Sequence, residues 1–216
     1  MAAVAAAANG GGGSADPAGE FRSLRPPIRW HPIPYSEKRQ SDMAAYAKRH
    51  YGMQTHRLRR PRVIVEHIAV AGTAQAVWNT FAPNRRDPEL HELPNVCTHF
   101  VVNSRGRIHQ LVPLGLMCRH TVGLNYTAIG IEHTGFRDSD LLTNRRQLRA
   151  SLRLTRWLRC SRDIRIRNVI GHNESLRSPY HRERVRRLRH QTHGDMTRRS
   201  MRKYRRMVRA RACPGH

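Results

Sequence analysis

The segment Ala128-Ile-Gly-Ile-Glu-His-Thr-Gly135 has the alternating pattern of a short β-strand with two different faces. Successive side chains of a strand point to opposite sides of the sheet. Ile129 and Ile131 therefore share one face, which is suited to a hydrophobic core. The opposite face carries two small residues and Glu132. This pattern predicts a groove with one carboxylate on its floor.

Two histidines stand at the ends of other apolar segments. His67 closes the run Val63-Ile-Val-Glu-His67, and His172 follows Val169-Ile-Gly171. Ligands of α/β proteins gather at the carboxyl ends of strands, so we expect these histidines to meet although 105 residues separate them. A catalytic zinc ion needs three protein ligands and one open position for water. Histidines at strand ends beside a carboxylate thus indicate a zinc hydrolase.

In these residues the sequence resembles the zinc-dependent N-acetylmuramoyl-L-alanine amidases, a group that also includes the peptidoglycan recognition proteins. The resemblance covers about residues 61 to 211. The similar segments, in chain order, are Val63–His67, Thr98–Pro113, Arg119–Asn125, Ile129–Glu132 and Val169–His172. The resemblance implies an enzyme that uses Zn²⁺ to hydrolyse the amide bond between N-acetylmuramic acid and L-alanine in peptidoglycan, with muropeptides as substrates.

The resemblance also assigns roles to individual residues. His67 and His172 match the first two zinc ligands of the family. For the third we favour His193, in the pair Thr192-His193, and His181 and Asp195 are the alternatives. Asp195 also suits the N-cap of a final helix. Glu132 matches the carboxylate that accepts a proton from the attacking water and passes it to the leaving amine.

Other positions bear on the substrate. His120 and Asn125 are expected to line the substrate groove. Many family members have Tyr where this chain has Thr98, and Lys where it has Gln191. Both replacements remove side-chain donors that stabilise a developing oxyanion. His120, His190 or an arginine are candidates to supply that stabilisation instead.

The charge of the chain is its most unusual compositional property. The formal net charge is +25, and residues 143 to 211 contain 23 Lys and Arg against 4 Asp and Glu. Such a surface attracts anionic polymers, either those of a bacterial envelope or nucleic acid. The alternative is that the arginines only keep helix faces solvated. The sequence contains no recognisable nucleic-acid-binding motif, so a nucleic-acid-binding function ranks below the amidase, as does a non-catalytic peptidoglycan-binding module of the same fold.

The order of predicted elements indicates one α/β domain, in which helices cover a mixed central β-sheet, as in the amidases and peptidoglycan recognition proteins. We expect a disordered low-complexity tail at 1–26, a proline-rich extended segment and a short helix at 27–60, and the zinc amidase domain at 61–211. Helices are predicted at about 36–51, 73–81, 143–160 and 198–211, and strands at 62–69, 96–103, 107–112, 128–134 and 169–171.

The sequence constrains the cellular location and the state of the cysteines less than it constrains the fold. No apolar stretch is long enough to span a membrane, and the N-terminus lacks the basic region of a secretory signal. The substrate indicates the cell envelope or the exterior, and a cytoplasmic location stays open. None of the four cysteines forms a Cys-x-x-Cys pair, and inert thiols are favoured over disulfides. We expect a monomer.

Overall fold

The computed structural model describes residues 23–213 of the chain. Its centre is a six-stranded mixed sheet with the order β1-β4-β3-β5-β2-β6. The strands are β1 (Ile28–Trp30), β2 (Val63–Ile68), β3 (Phe100–Val102), β4 (Ile108–Gln110), β5 (Ala128–His133) and β6 (Val169–Gly171). The mixed α/β sheet expected from the sequence is confirmed.

Four of the six strands run parallel. Strand β5 pairs with β2 and β3, β2 also pairs with β6, and all three pairings are parallel. Strand β4 is antiparallel to β3, and β1 runs parallel to β4 at the edge. The register places His67 of β2 directly beside Glu132 of β5. Because parallel strands end at one edge of a sheet, the carboxyl ends of β2, β5 and β6 lie together.

Helices cover both faces of the sheet. They are α1 (Glu37–Tyr51), α2 (Ala74–Phe81), α3 (Asp138–Thr143), α4 (Arg145–Ser161) and α5 (Arg198–Arg209), together with three short 3₁₀ helices at Ile166–Asn168, His172–Arg177 and Arg186–Leu188. Thr73 is the N-cap of α2, because its hydroxyl accepts a hydrogen bond from the amide of Ala76. None of the helices in this described part has the length and apolar content needed to traverse a lipid bilayer.

The two faces of β5 have separate environments, as its alternation predicts. Ile129 and Ile131 are fully buried in the main core with Leu152 and Leu158 of α4 and Tyr204 of α5. The arginines of these amphipathic helices point away from that core, which is the arrangement expected of a surface helix. The opposite face of β5 is left for the groove that contains Glu132.

Several features differ from the sequence-based expectations. Residues 27–60 contribute β1 to the sheet and α1 to the main core, where Met43 and Tyr46 are fully buried. Trp30, the last residue of β1, leaves 58% of its surface exposed. Helix α3 has no counterpart in the sequence analysis, since six residues are too few for a clear period. The tail predicted at 1–26 lies outside the described residues up to position 22.

The expectation of inert thiols is wrong. Cys97 is bonded to Cys118, and Cys160 is bonded to Cys213, with Cα–Cα distances of 5.2 and 5.5 Å. Sequence spacing gave no sign of these pairs, since the partners are 21 and 53 residues apart and meet only through the fold. The second disulfide ties the segment after α5 to the end of α4.

The Cys160–Cys213 disulfide yields a stability prediction. Replacing both cysteines with alanine releases a closed loop of 53 residues. The unfolded chain then gains conformational entropy, and we expect the free energy of unfolding to fall by about 2–4 kcal/mol. Urea denaturation followed by circular dichroism measures this change, and the reduced parent protein is the control. A loss below about 1 kcal/mol would show that the crosslink adds little to this fold.

Candidate functional site

Two histidines and one aspartate meet at the carboxyl edge of the sheet. The Nδ1 atoms of His67 and His172 are 3.1 Å apart. The carboxylate of Asp195 lies 3.8 Å from His67 Nδ1 and 3.6 Å from His172 Nδ1. All three ligand atoms lie within 4.8 Å of one another, and both histidines are buried. The expected meeting of His67 and His172 is therefore observed.

The geometry of this His/His/Asp cluster fits a small metal ion. Ligand atoms that surround a zinc ion at 2.0–2.2 Å in a tetrahedron are about 3.3 Å apart, close to the separations found here. Two imidazole nitrogens at 3.1 Å need either a proton or a cation between their lone pairs. Burial and neighbouring histidines lower the pKa of His67 well below its usual range, and burial lowers the pKa of His172 to about 3. Neutral imidazole is the form that binds metals.

The backbone around Gly171 brings Asp195 to the cluster. A Cβ atom at position 171 would lie 1.8 Å from the carbonyl oxygen of Met196, so only glycine allows the 195–196 loop to approach β6 this closely. The φ of Gly171 is −87°, so the close approach, and not a special turn, requires the glycine. The amide of Ile68 donates to Asp195 Oδ2 at 3.0 Å, which fixes the carboxylate beside His67.

Helix α3 also holds this loop. The amides of Met196 and Thr197 donate to the carboxylate of Asp138 at 2.7 and 2.9 Å. Thr197, and not Asp195, is the N-cap of α5, because its hydroxyl accepts from the amide of Ser200. The side chain of Asp195 is thereby left for the cluster.

His120 contacts Nε2 of His67, whereas Nδ1 of His67 faces His172. His67 Nε2 lies 3.1 Å from His120 Nδ1, and Thr121 Oγ1 lies 2.9 Å from the same nitrogen. His120 Nε2 faces the carbonyl of Ala128 at 3.4 Å. If Nε2 carries the proton of His120, its Nδ1 accepts the N–H of His67 and leaves Nδ1 of His67 free for a ligand. A partner of this kind fixes the tautomer and orientation of a metal-binding histidine.

Asn125 positions the loop that carries His120. Its Oδ1 accepts hydrogen bonds from the amides of His120 and Thr121, both at 2.8 Å. Its amide nitrogen donates to the hydroxyls of Tyr46 and Tyr51. Asn125 is almost fully buried, so its hydrogen-bonding capacity is used within the protein. Asn125 also lines the small cavity beside the cluster, and its contact with substrate stays a prediction.

Gly130 provides space for His120. A Cβ at this position would lie 2.8 Å from Cγ of His120 and 2.9 Å from Oγ1 of Thr98. The bare face of β5, from which the sequence predicts a groove, is thus occupied in part by an imidazole ring. The glycine sets how closely this ring packs on the sheet beside His67.

Glu132 lies beside the cluster without a hydrogen-bond partner. Its register neighbour is His67, and its Oε2 is buried and unpaired among the described residues. Burial, and then the nearby Asp195 carboxylate, raise the pKa of Glu132 well above its usual range. A buried carboxyl that is not engaged by the protein is available to exchange a proton with a bound molecule.

The other residues considered as ligands lie outside the cluster. The ring of His193 stacks on His172 with centroids 4.6 Å apart, but its Nε2 contacts Glu89 at 3.0 Å and its side chain is 44% exposed. Gln191 contacts the same glutamate at 3.1 Å. His181 packs against Gly123. The arrangement therefore favours Asp195 over His193 and His181 as the third member.

A chain of buried hydrogen bonds supports β2 from the opposite face of the sheet, and sequence reasoning did not find it. Its links are Glu66–Thr155 at 2.7 Å, Thr155–Tyr204 at 2.8 Å, Tyr204–Ser151 at 2.5 Å, Ser151–His133 at 2.7 Å and His133–carbonyl of His67 at 2.8 Å. Burial raises the pKa of Glu66 to about 8, so this carboxyl carries a proton at neutral pH. The hydroxyl of Thr155 donates to Glu66 Oε1.

A buried His/His/Asp cluster beside an unpaired carboxyl is the arrangement of a metal-assisted hydrolase. The sequence profile described as N-acetylmuramoyl-L-alanine amidase matches residues 57–215. The chain belongs to this family. It is an enzyme that hydrolyses the amide bond between N-acetylmuramic acid and L-alanine in peptidoglycan. No curated protein matches the chain.

Solved structures share the fold. A mutant of PlyL is similar with a TM-score of 0.54 and 15% identity, over 86% of this chain and 99% of that one. The catalytic domain of XlyA gives 0.51 and 16%, over 85% and 99%. A mutant endolysin from Bacillus subtilis gives 0.50 and 16%, over 84% and 98%. At 15–16% sequence identity, this similarity shows that the fold is shared.

Substitution of Asp195 or of His193 tests which of the two residues is the third metal ligand. Asp195→Ala removes one of three ligand atoms, and we expect most of the metal affinity to be lost because a three-ligand site has none to spare. His193→Ala should keep the metal, since its Nε2 faces Glu89. Metal content after dialysis against dilute zinc, measured by mass spectrometry, separates the variants. Full occupancy in Asp195→Ala together with loss in His193→Ala would restore His193 as the ligand.

The fit of His120 on Gly130 can be tested in the same way. Gly130→Ala pushes the imidazole ring away from the sheet, and we expect metal affinity to fall about 10–100-fold, the usual cost of a lost supporting partner. Gly115→Ala is the matched control, because a Cβ there meets nothing within 4 Å. Zinc titration of both variants with a competing chelator gives the affinities. Equal affinities would show that His120 does not orient His67.

Proposed function

We propose that this amidase holds one zinc ion through His67, His172 and Asp195 and uses Glu132 as its general acid and base. The observation that carries the proposal is the convergence of three ligand atoms at 3.1–3.8 Å beside a buried, unpaired carboxyl. Two imidazoles and one carboxylate form a donor set that suits zinc and leaves a fourth position open.

Zinc bound here would lower the pKa of a coordinated water and polarise the carbonyl of the scissile amide. Glu132 then takes the proton of the attacking water. The raised pKa of this carboxyl lets it hold the proton and deliver it to the nitrogen of L-alanine as the C–N bond breaks. His120 keeps His67 in the tautomer that presents its lone pair, and the Asp195 loop is held by Ile68 and Asp138.

The residues around the His/His/Asp cluster indicate which side chains face the substrate. A small cavity of about 50 Å³ adjoins His172, His120, Gln191 and His193. His193 stands at its mouth, and we assign it a substrate-facing role. The Thr98 hydroxyl is buried without a partner, and the amide nitrogen of Gln191 is engaged by Glu89. We therefore assign neither residue as a hydrogen-bond donor to the oxyanion, and we propose that the metal ion stabilises the oxyanion instead.

A non-catalytic peptidoglycan-binding module is the alternative. Binding alone requires no proton acceptor, and a buried carboxyl without a partner costs folding free energy, on the order of 1–3 kcal/mol. Retention of Glu132 beside the cluster therefore favours catalysis. The zinc ligands alone do not separate the two functions, since a metal can serve binding as well.

The covalent structure supports a proposal for the compartment. Two disulfides in a chain of this size favour an oxidising environment, because thiol buffers keep cytosolic cysteines reduced. We propose that the enzyme acts outside the cytoplasm, where its peptidoglycan substrate lies, and that it acts as a monomer.

Glu132→Gln tests the catalytic role. The substitution keeps the shape of the side chain and removes its ability to accept a proton. We expect turnover of a soluble muropeptide to fall about 100-fold or more, the usual scale of general acid–base catalysis. Zinc content and thermal stability should stay close to those of the parent.

Release of the free peptide stem, measured by chromatography, gives the rate. The matched control is Gln191→Ala, which alters the rim of the cavity and leaves the carboxyl in place. Unchanged turnover in Glu132→Gln, with zinc bound, would exclude this residue as the general base. A parent protein that binds zinc and muropeptide without cleaving it would support the binding module.

A further inference from the structure

The amino-terminal edge of the sheet, opposite the catalytic cluster, carries a groove lined by arginines. A cavity of about 500 Å³ opens there. Its cationic lining consists of Arg59, Arg60, Arg62, Arg162 and Arg165. A second cavity of about 290 Å³ shares Asn168 with the first, so the two adjoin. We call the pair of cavities the arginine groove.

The fold concentrates these charges. Arg62 immediately precedes β2, and Asn168 immediately precedes β6, so two loops that are distant in sequence form one wall. The second cavity adds the exposed Arg167, Arg177 and Arg198, and its wall also contains Arg205, which is paired with Glu174. At about 3.3 Å per residue, β2 separates Arg62 from His67 by roughly 17 Å. The arginine groove is therefore distinct from the catalytic cluster.

These arginines are free to bind an anion. All eight are exposed, and within residues 23–213 none forms an ion pair with a carboxylate. The two acidic residues in the groove do not neutralise it. Glu174 is already bound by both nitrogens of Arg205, at 2.5 and 3.0 Å, and Asp163 stands against five arginines. Uncompensated charge in a concave surface focuses the field on a ligand.

We propose that the arginine groove binds the anionic phosphodiester polymer attached to the bacterial wall, while the catalytic cluster acts on the peptide stem. Guanidinium groups match phosphate oxygens with paired hydrogen bonds, and a row of them along two adjoining cavities suits a repeating phosphate backbone. The choice of a wall polymer rests on the amidase function, because peptidoglycan and this polymer occur in one material.

The aromatic content of the arginine groove argues against single-stranded nucleic acid. Proteins that bind single strands place aromatic rings on which successive bases stack. Tyr180 is the one aromatic residue that lines the two cavities, and the guanidinium of Arg62 already lies over its ring at 5.8 Å. A polymer of alditol phosphates has no bases and requires no such platform.

The experiment compares two charge-matched variants of the full chain. The groove variant carries Arg60→Gln, Arg62→Gln and Arg162→Gln. The control variant carries Arg145→Gln, Arg149→Gln and Arg202→Gln, which removes three exposed arginines from α4 and α5, outside the groove. The probe is a fluorescent poly(glycerol phosphate) oligomer of defined length, and its binding is followed by anisotropy over a salt series.

We expect the groove variant to lose affinity by about tenfold or more and to show a shallower salt dependence, because fewer counterions are released on binding. The control variant should lose less than about threefold. Equal losses would mean that the charge acts as a diffuse field, and would overturn the proposal. An oligothymidylate with the same number of phosphates that binds as tightly, with the same dependence on the groove, would overturn it in favour of nucleic acid.

Hydrolysis of a small soluble muropeptide is the separate readout. Both variants should cleave it at the rate of the parent, since their substitutions lie away from the cluster. A parent that fails to cleave it would count against the proposed catalytic function and leave the polymer measurement intact. A groove variant that loses cleavage together with polymer binding would show that the arginine groove is part of the substrate site, and would overturn its separate role.

Discussion

The structure depends on the parallel pairing of β2 with β5 and β6. Backbone hydrogen bonds fix this register, and side-chain direction alternates along each strand, so a shift of one residue would turn His67 into the opposite core. The observed register places His67 beside Glu132 and brings His172, the first residue after β6, within 3.1 Å of His67. The two histidines proposed as metal ligands and the proposed proton acceptor thus derive from one hydrogen-bond pattern in the centre of the sheet.

Close backbone contacts, in addition to the strand register, position the residues of the site. Gly171 lets the 195–196 loop lie against β6, and Gly130 lets the ring of His120 lie against β5. Each glycine removes a Cβ at a place where a functional side chain must approach the sheet. The same loop is held by Asp138 of α3 and by the amide of Ile68. The site is therefore supported from several elements, which fits the need of a metal centre for fixed ligands.

Charge has two separate uses in this molecule. At the carboxyl edge of the sheet, buried histidines are kept neutral by desolvation, which suits them to bind a cation. At the amino-terminal edge, exposed arginines line a concave surface, and within the described residues they form no ion pair with a carboxylate. The positive charge of the protein is thus not evenly distributed over its surface. One local concentration occurs where the loops before β2 and β6 come together, and the arginines of α4 and α5 add a more general field.

The sequence by itself determined the class of fold, the strand with Glu132 on its open face, and the two histidines at strand ends, because period-2 alternation and strand ends are local properties of a chain. The preference for His193 over Asp195 came from position in the sequence. The fold favours Asp195 instead, because only packing shows that the 195–196 loop reaches β6 at Gly171 and that His193 faces Glu89. The disulfides, the support of His67 by His120 and the arginine groove also required the tertiary structure. Each of them joins residues that are far apart in the chain, and no local pattern records such a contact.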